Sequence, residues 1–190
     1  MTLKNSIYAD VWRIYNKTGL YYLLKALLVL KPFRPIFTYR LGRAAKKLPV
    51  PFKVLVYIPL KLLHRWFTGA LCCEIPFSAQ IGPGFRLNHG YVVVLNKHCK
   101  IGSNFTCLHN VTIGGVRESG VPVLGDNVVM AANTMVAGNV NVGNGATIGA
   151  GALVLKDVPD MAIVIGNPQR VSRYSDLPRT PNAAPDYLLE

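Results

Sequence analysis

Leu124 to Val158 reads LGDNVVMAANTMVAGNVNVGNGATIGAGALVLKDV, and an aliphatic residue or Met stands at every sixth position: Leu124, Met130, Val136, Val142, Ile148 and Val154. Four residues after each of these runs a second register, Val128, Thr134, Val140, Ala146, Ala152 and Val158, which is small or β-branched throughout. A period of six drifts across a 3.6-residue helix and smears the apolar positions round every face, so the stretch is not α-helical. It suits a β-solenoid in which six residues make one short strand and one corner. Gly and Asn crowd the corners (Gly82, Asn104, Gly138, Asn144) because they tolerate turn dihedrals. Three hexads close one triangular coil, so residues eighteen apart stack at about 4.8 Å, the spacing of neighbouring strands.

Backwards from Ile113 the same count runs through Cys107, Ile101 and Leu95, and after a gap of eight it resumes at Leu87, Ile81 and Ile75. Two residues are therefore inserted around His89-Gly90-Tyr91. Between Ile75 and Val158 there are hexads enough for about four coils, above the three repeats a solenoid needs.

These hexads, the run Leu87-Asn88-His89-Gly90, the stretch Val111-Thr112-Ile113-Gly114-Gly115, and the ending Ile148-Gly149-Ala150-Gly151-Ala152 through Val158-Pro159 and Gly166-Asn167-Pro168 carry a resemblance. The chain resembles the left-handed β-helix acyltransferases, within them the serine acetyltransferase branch, and more closely the relatives that O-acetylate capsular and exopolysaccharides such as colanic acid. The resemblance covers about residues 70 to 172. It implies a left-handed parallel β-helix, a homotrimer with sites between subunits, and acetyl-CoA as co-substrate.

The chain has 190 residues, half of them apolar and few charged, so it is folded over most of its length. Cys107 and Cys99 fall on the two inward registers, where a small thiol packs well. Cys72 and Cys73 are adjacent and no CxxC spacing occurs, so no metal site is expected and reduced cytosolic thiols are the natural reading. Lys4, Asp10 and Arg13 break the start of the chain, and no signal peptide is expected.

The net charge of +12 is concentrated at one end: residues through Ile75 hold thirteen Lys and Arg against Asp10 and Glu74, and the remainder eight against seven. This divides the chain into a basic, apolar α-helical module (1-70), a solenoid (71-172) and a polar, loosely ordered tail (173-190). Helices are expected over 4-17, 20-30, 33-47 and 52-67, the last interrupted by Pro59. Leu20 to Leu30 is too short to span a bilayer, which takes about 20 apolar residues. Basic residues beside aromatic-rich apolar stretches suit helices lying on an anionic membrane surface, so a peripheral location on the inner face of the plasma membrane is expected. Packing on the solenoid or on another subunit is the alternative. Nucleic-acid binding fits poorly, because no binding motif or stacking platform is recognisable.

Acetyl transfer from a thioester to a hydroxyl needs a base that takes a proton near neutral pH, the task to which histidine is suited. Of His64, His89, His98 and His109, the second and fourth occupy equivalent hexad positions and are expected on one face, one coil apart; His64 and His98 read as surface residues. The resemblance places His89 on the family's catalytic His and Glu74 on the carboxylate that orients it, the logic of a Ser-His-Asp triad applied to a substrate hydroxyl. His109 either supplies a second imidazole or stacks below the site.

The family's serine-recognising Asp is here Asn88, and its loop His is missing from Val116-Arg117-Glu118-Ser119-Gly120-Val121-Pro122, where Arg117 is a weak substitute. Both departures shift the expected acceptor from an amino acid to a sugar hydroxyl, for which Asn88 is an apt partner. For the donor, the resemblance implies coenzyme A lying along Ala132 and Ala150, with Gly114, Gly115 and Gly149 nearby and Lys156 and Arg170 available to phosphates. The leading expectation is thus an acetyl-CoA-dependent polysaccharide O-acetyltransferase. Serine O-acetylation and a non-catalytic membrane-associated scaffold are the alternatives.

Overall fold

Each hexad becomes one short strand whose second residue points inward. A computed structural model describes residues 2-116 and 120-189. The first coil is β1 (Gln80–Ile81), β2 (Arg86–Leu87) and β3 (Val94–Leu95), and the second β4 (Lys100–Ile101), β5 (Thr106–Cys107) and β6 (Thr112–Gly114). The third is β7 (Val123–Leu124), β8 (Val129–Met130) and β9 (Met135–Ala137), and the fourth β10 (Asn141–Val142), β11 (Thr147–Ile148) and β12 (Leu153–Val154). Equivalent strands stack in parallel, β1-β4-β7-β10, β2-β5-β8-β11 and β3-β6-β9-β12, making the three faces of a left-handed parallel β-helix of about four coils. β13 (Ala162–Ile165) extends the second face, and β14 (Arg170–Tyr174) turns back antiparallel on it.

Both inward registers are buried along their whole length, Thr134 included, whose hydroxyl donates to the Ala131 carbonyl at 2.9 Å. Cys99 and Cys107 are buried among them, as expected. At one corner the coils approach so closely that only glycine fits: a Cβ on Gly82 would lie 2.6 Å from the Gly102 backbone.

Four helices precede the solenoid: α1 (Leu3–Tyr15), α2 (Leu20–Val29), α3 (Phe33–Ala45) and α4 (Phe52–Gly69). The Thr2 hydroxyl caps α1 by accepting from the Asn5 N–H at 3.2 Å, and Asn16 ends it in the left-handed conformation. Pro59 lies inside α4 without interrupting it. The one backbone bond that proline removes is outweighed by packing on α3, where the Arg34 guanidinium lies over the Phe67 ring and Thr38 bonds to His64.

Two of these helices are pinned to the solenoid by charges that read in sequence as solvated. Asp10 of α1 and Arg40 of α3 form a buried ion pair, with Arg40 Nε donating to Asp10 Oδ2 at 2.8 Å. Arg40 also donates to the carbonyls of Ile81 (2.7 Å) and Gly82 (2.6 Å), while Asp10 accepts from the Phe85 N–H at 2.8 Å. Arg13, fully buried, donates to the Gly84 carbonyl at 2.7 Å, to the Pro181 carbonyl at 3.2 Å and to the Thr106 hydroxyl. Burial, with Arg86 beside it, pulls the Arg13 guanidinium down to about 10.

His64 is likewise not a surface residue. It is buried, with Nε2 donating to the Ile75 carbonyl at 2.8 Å and Nδ1 left to accept from the Thr38 hydroxyl at 2.7 Å. His98 is exposed, as expected. The tail departs from the expected loose order: Ala184 and Leu188 are buried against Ala9 of α1, and the Ala184 N–H donates to Asn104 Oδ1 at 2.9 Å. Ala184 and Leu188, with Leu189 beside them, dock on the face of α1 formed by Tyr8, Ala9 and Trp12.

Candidate active site

The register of the second face fixes one column of residues. Leu87 pairs with Cys107, Cys107 with Met130, and Met130 with Ile148. Two positions further along each strand lie His89, His109, Ala132 and Ala150, one per coil at the corner leading to the third face. The coils are about 4.8 Å apart. The histidines expected to share a face therefore share a corner, and the two alanines continue their column rather than occupying a separate region. Within it the Asn133 N–H donates to the His109 carbonyl at 3.2 Å, and the Gly151 N–H to the Ala132 carbonyl at 3.0 Å.

The two inserted residues make this corner bulge only at its His89 end. Asn88 still holds the ladder, its N–H donating to the Cys107 carbonyl at 2.9 Å. His89 then turns left-handed (φ 55°), the Tyr91 N–H donates back to its carbonyl at 2.8 Å, and Val92 is left-handed as well (φ 55°). A β-branched residue in that region is strained, and strain of this kind is stored where the surrounding structure holds it. At this bulge His89 is exposed to solvent.

A cavity of about 450 Å³ opens beside it, lined by Asn88, His89, Tyr91 and Arg86 from the solenoid and by the turn between α2 and α3, Leu30-Lys31-Pro32-Phe33. Sequence reasoning missed that this turn walls the candidate base. No spacing rule links Lys31 to His89; only the docking of α1 and α3 brings them together.

Glu74 stands elsewhere. Its backbone joins the third face, donating to the Val93 carbonyl at 2.7 Å and accepting from the Leu95 N–H at 2.9 Å. Its exposed side chain borders a different cavity of about 890 Å³ beneath α4, with Lys61, His64 and Arg65. Among the described residues its carboxylate makes no hydrogen bond with His89 or any other group, so this chain does not join the expected pair. Arg117 lies outside the described residues.

Of the expected donor residues, Gly114 ends β6 and Gly115 follows it, exposed. Gly149 stands one position before Ala150 at the corner, packed too closely on Ile165 for a side chain, at 2.8 Å from a Cβ to Ile165 Cγ2. Lys156 and Arg170 are brought to one end of the solenoid by Gln169, whose Oε1 accepts from the Lys156 N–H at 2.9 Å and whose Nε2 donates to the Lys156 carbonyl at 2.9 Å. No cluster of three or more potential metal ligands occurs among the described residues.

The chain is similar to several known proteins. WcaB of Escherichia coli strain K12, a proposed colanic acid biosynthesis acetyltransferase, is 42% identical over 116 residues, which cover 60% of this chain and 72% of that protein. Serine acetyltransferase of Bacillus pumilus strain SAFR-032 is 37% identical over 151 residues, 78% of this chain and 67% of that one. The chain spans about a third of mitochondrial serine acetyltransferase 3 of Arabidopsis thaliana, at 40% identity over 132 residues. Among solved structures, serine acetyltransferase of Brucella abortus strain S19 in complex with coenzyme A superposes with a TM-score of 0.75 at 27% identity, covering 90% of this chain and 68% of that one. No protein-family model matches the chain.

The chain belongs to the hexapeptide-repeat, left-handed β-helix acyltransferases. Within them it falls in the serine acetyltransferase-like branch, with similarity to WcaB.

Proposed function

We propose that the protein is an acetyl-CoA-dependent O-acetyltransferase whose acceptor is a sugar hydroxyl of a capsular or exopolysaccharide, or of its lipid-linked precursor. The observation that carries this is the column His89, His109, Ala132, Ala150 beside a cavity containing Asn88. The pantetheine of coenzyme A would run along the small residues Ala132, Ala150 and Gly149, delivering its thioester to the histidine end, with Lys156 and Arg170 near the phosphates.

His89 would take the acceptor proton as the hydroxyl attacks the thioester carbonyl, and the thiol of coenzyme A would leave. General-base assistance of this kind is worth about 10²- to 10⁴-fold. Asn88 can both donate to and accept from neighbouring sugar hydroxyls. Glu74 is the proposed orienting carboxylate of the substrate-bound enzyme: its side chain borders the cavity beneath α4 and makes no hydrogen bond among the described residues, so this role requires it to turn to His89 when substrate binds. Exposed Val92, Met135 and Leu155 on and beside the third face support a trimer with sites between subunits.

The N-terminal module supports a peripheral membrane site. From Val11 to Cys73 the chain has no carboxylate, and α2 and α4 expose Leu20, Leu28, Leu55, Leu62 and Trp66 beside Lys25, Lys61 and Arg65. No helix among the described residues is long and apolar enough to cross a membrane.

Serine O-acetylation is the second reading, favoured by the names most relatives bear. Asn88 and the absence of His from the Val116 to Pro122 sequence weigh against it. Transfer of labelled acetyl from acetyl-CoA to serine and to unacetylated polysaccharide repeat units, in wild type and His89→Ala, separates the two. Label on sugar that the variant abolishes is expected; His89-dependent label on serine overturns the proposal.

A further inference from the structure

Resting on the reading of His89 as the base, the cavity beside it has an electrostatic character that narrows the acceptor. Among the described residues its only charged lining groups are Lys31 and Arg86, and no carboxylate lines it. The helices around it offer only Asp10, because residues 11 to 73 contain no Asp or Glu. The two nearest acidic residues in sequence are committed or absent: Asp10 is paired with Arg40, and Glu74 borders a different cavity.

Arg86 is half-buried and held by one hydrogen bond, its Nη1 donating to the Arg13 carbonyl at 2.9 Å. Its remaining N–H groups have no partner among the described residues. A partly desolvated guanidinium with unused donors, facing a cavity, is a group whose bonding is completed by a ligand. Lys31 reaches the same space from the turn after α2 and is exposed. The other walls, Ile14, Val29, Leu30 and Phe33, are apolar faces against which a sugar ring can lie.

We propose that the acceptor carries a negative charge close to the hydroxyl that is acetylated, and that Lys31 and Arg86 bind it. The charge is a carboxylate on an acidic sugar or a phosphate on the lipid carrier; both present oxygens that a lysine and a guanidinium hold by charge-assisted hydrogen bonds. An acceptor bearing an ammonium group would meet two cations and no counter-charge. Val29, at the mouth of the cavity, is also part of the exposed apolar end of α2, so a carrier phosphate held at a membrane surface would arrive beside Lys31.

The test measures initial rates of acetyl transfer to a neutral oligosaccharide, to the same oligosaccharide bearing a uronic acid, and to the neutral oligosaccharide on a polyprenyl phosphate. Wild type is compared with Lys31→Met, Lys31→Glu, Lys31→Arg and His89→Ala. For a charged acceptor, KM is expected to rise about tenfold in Lys31→Met, the scale of one charge-assisted contact. It should rise further in Lys31→Glu and return in Lys31→Arg, with kcat held and with KM for the neutral oligosaccharide unmoved. Which charged acceptor responds identifies the source of the charge. Equal use of the neutral oligosaccharide, or a KM indifferent to residue 31, overturns the inference. Absence of label on any sugar, or label that survives His89→Ala, instead overturns the reading on which it rests.

Discussion

The Asp10 carboxylate and the Arg40 guanidinium meet at 2.8 Å with both side chains buried, and through Arg40 the pair is bonded to the first coil of the solenoid. Breaking a buried pair from one side leaves an uncompensated charge, which costs about 3 to 5 kcal/mol. Asp10→Ala should therefore lower the thermal midpoint by about 6 to 20 °C for a chain of this size. Asp10→Leu combined with Arg40→Met should recover only part of the loss, because the Ile81 and Gly82 carbonyls and the Phe85 N–H lose these partners. A midpoint for Asp10→Ala within two degrees of wild type would mean that the pair does not hold α1 and α3 in place.

His64 gives the fold a pH dependence. Burial holds its imidazole below the usual 6.5, despite the bond to the Ile75 carbonyl that favours the charged form. The unfolded chain thus binds the proton first. Stability that is full above about pH 6.5 is lost as pH falls below it, by at most about 1.4 kcal/mol per pH unit until the folded value is reached. Thermal midpoints from pH 7.5 to 5 should fall more steeply in wild type than in His64→Gln, and parallel curves would contradict the assignment.

The four thiols should react unequally. Burial raises Cys73, pushes Cys99 up to about 11 and raises Cys107 further, and the thiolate is the nucleophile. Cys72 is exposed. Alkylation of the folded protein at pH 8, read by intact mass, should add one group, and alkylation in denaturant four. A second rapid addition to the folded protein would show that the solenoid core opens.

Leu28 and Leu55 are 75% and 74% exposed, so aspartate at both positions should leave the fold intact while removing the membrane face of α2 and α4. Wild type is expected to sediment with vesicles containing anionic lipid, weakly with zwitterionic ones, and less at high salt, since each basic residue near such a surface contributes about 1 kcal/mol. The double variant should lose binding by at least about tenfold. Equal binding of both proteins would remove these helices from the membrane surface.

The solenoid was legible because its rule is local. Six residues make a strand and a corner, and hexads repeat the rule from Ile75 to Ile113 and again from Leu124 to Val158, so even the bulge at His89 announced itself as a gap of eight between Leu87 and Leu95. The pairs His89–His109 and Ala132–Ala150 follow from the same count, but their union in one column does not, because eleven residues rather than six separate Ile113 from Leu124. The dock of the N-terminal module was not legible, because Asp10, Arg13 and Arg40 look like surface charges on amphipathic helices until their partners are known. Those partners are backbone carbonyls at Ile81, Gly82 and Gly84, groups that every sequence has and none advertises. For the same reason Lys31 could not be placed beside His89, nor His64 inside the fold.

Arg13 also changes how the stack can come apart. Coils that touch only their neighbours make a nearly one-dimensional object, which frays from its ends. Here a single guanidinium ties the first coil at Gly84, the second at Thr106 and the returning tail at Pro181, while Thr180 donates to the Asn127 carbonyl of the third at 2.7 Å. The beginning and end of the described chain are thereby buckled across the coils between them, like a strap round a pile of plates. Loss of either end loosens the same plates, so the lower half of the solenoid stands or falls as one block rather than peeling coil by coil.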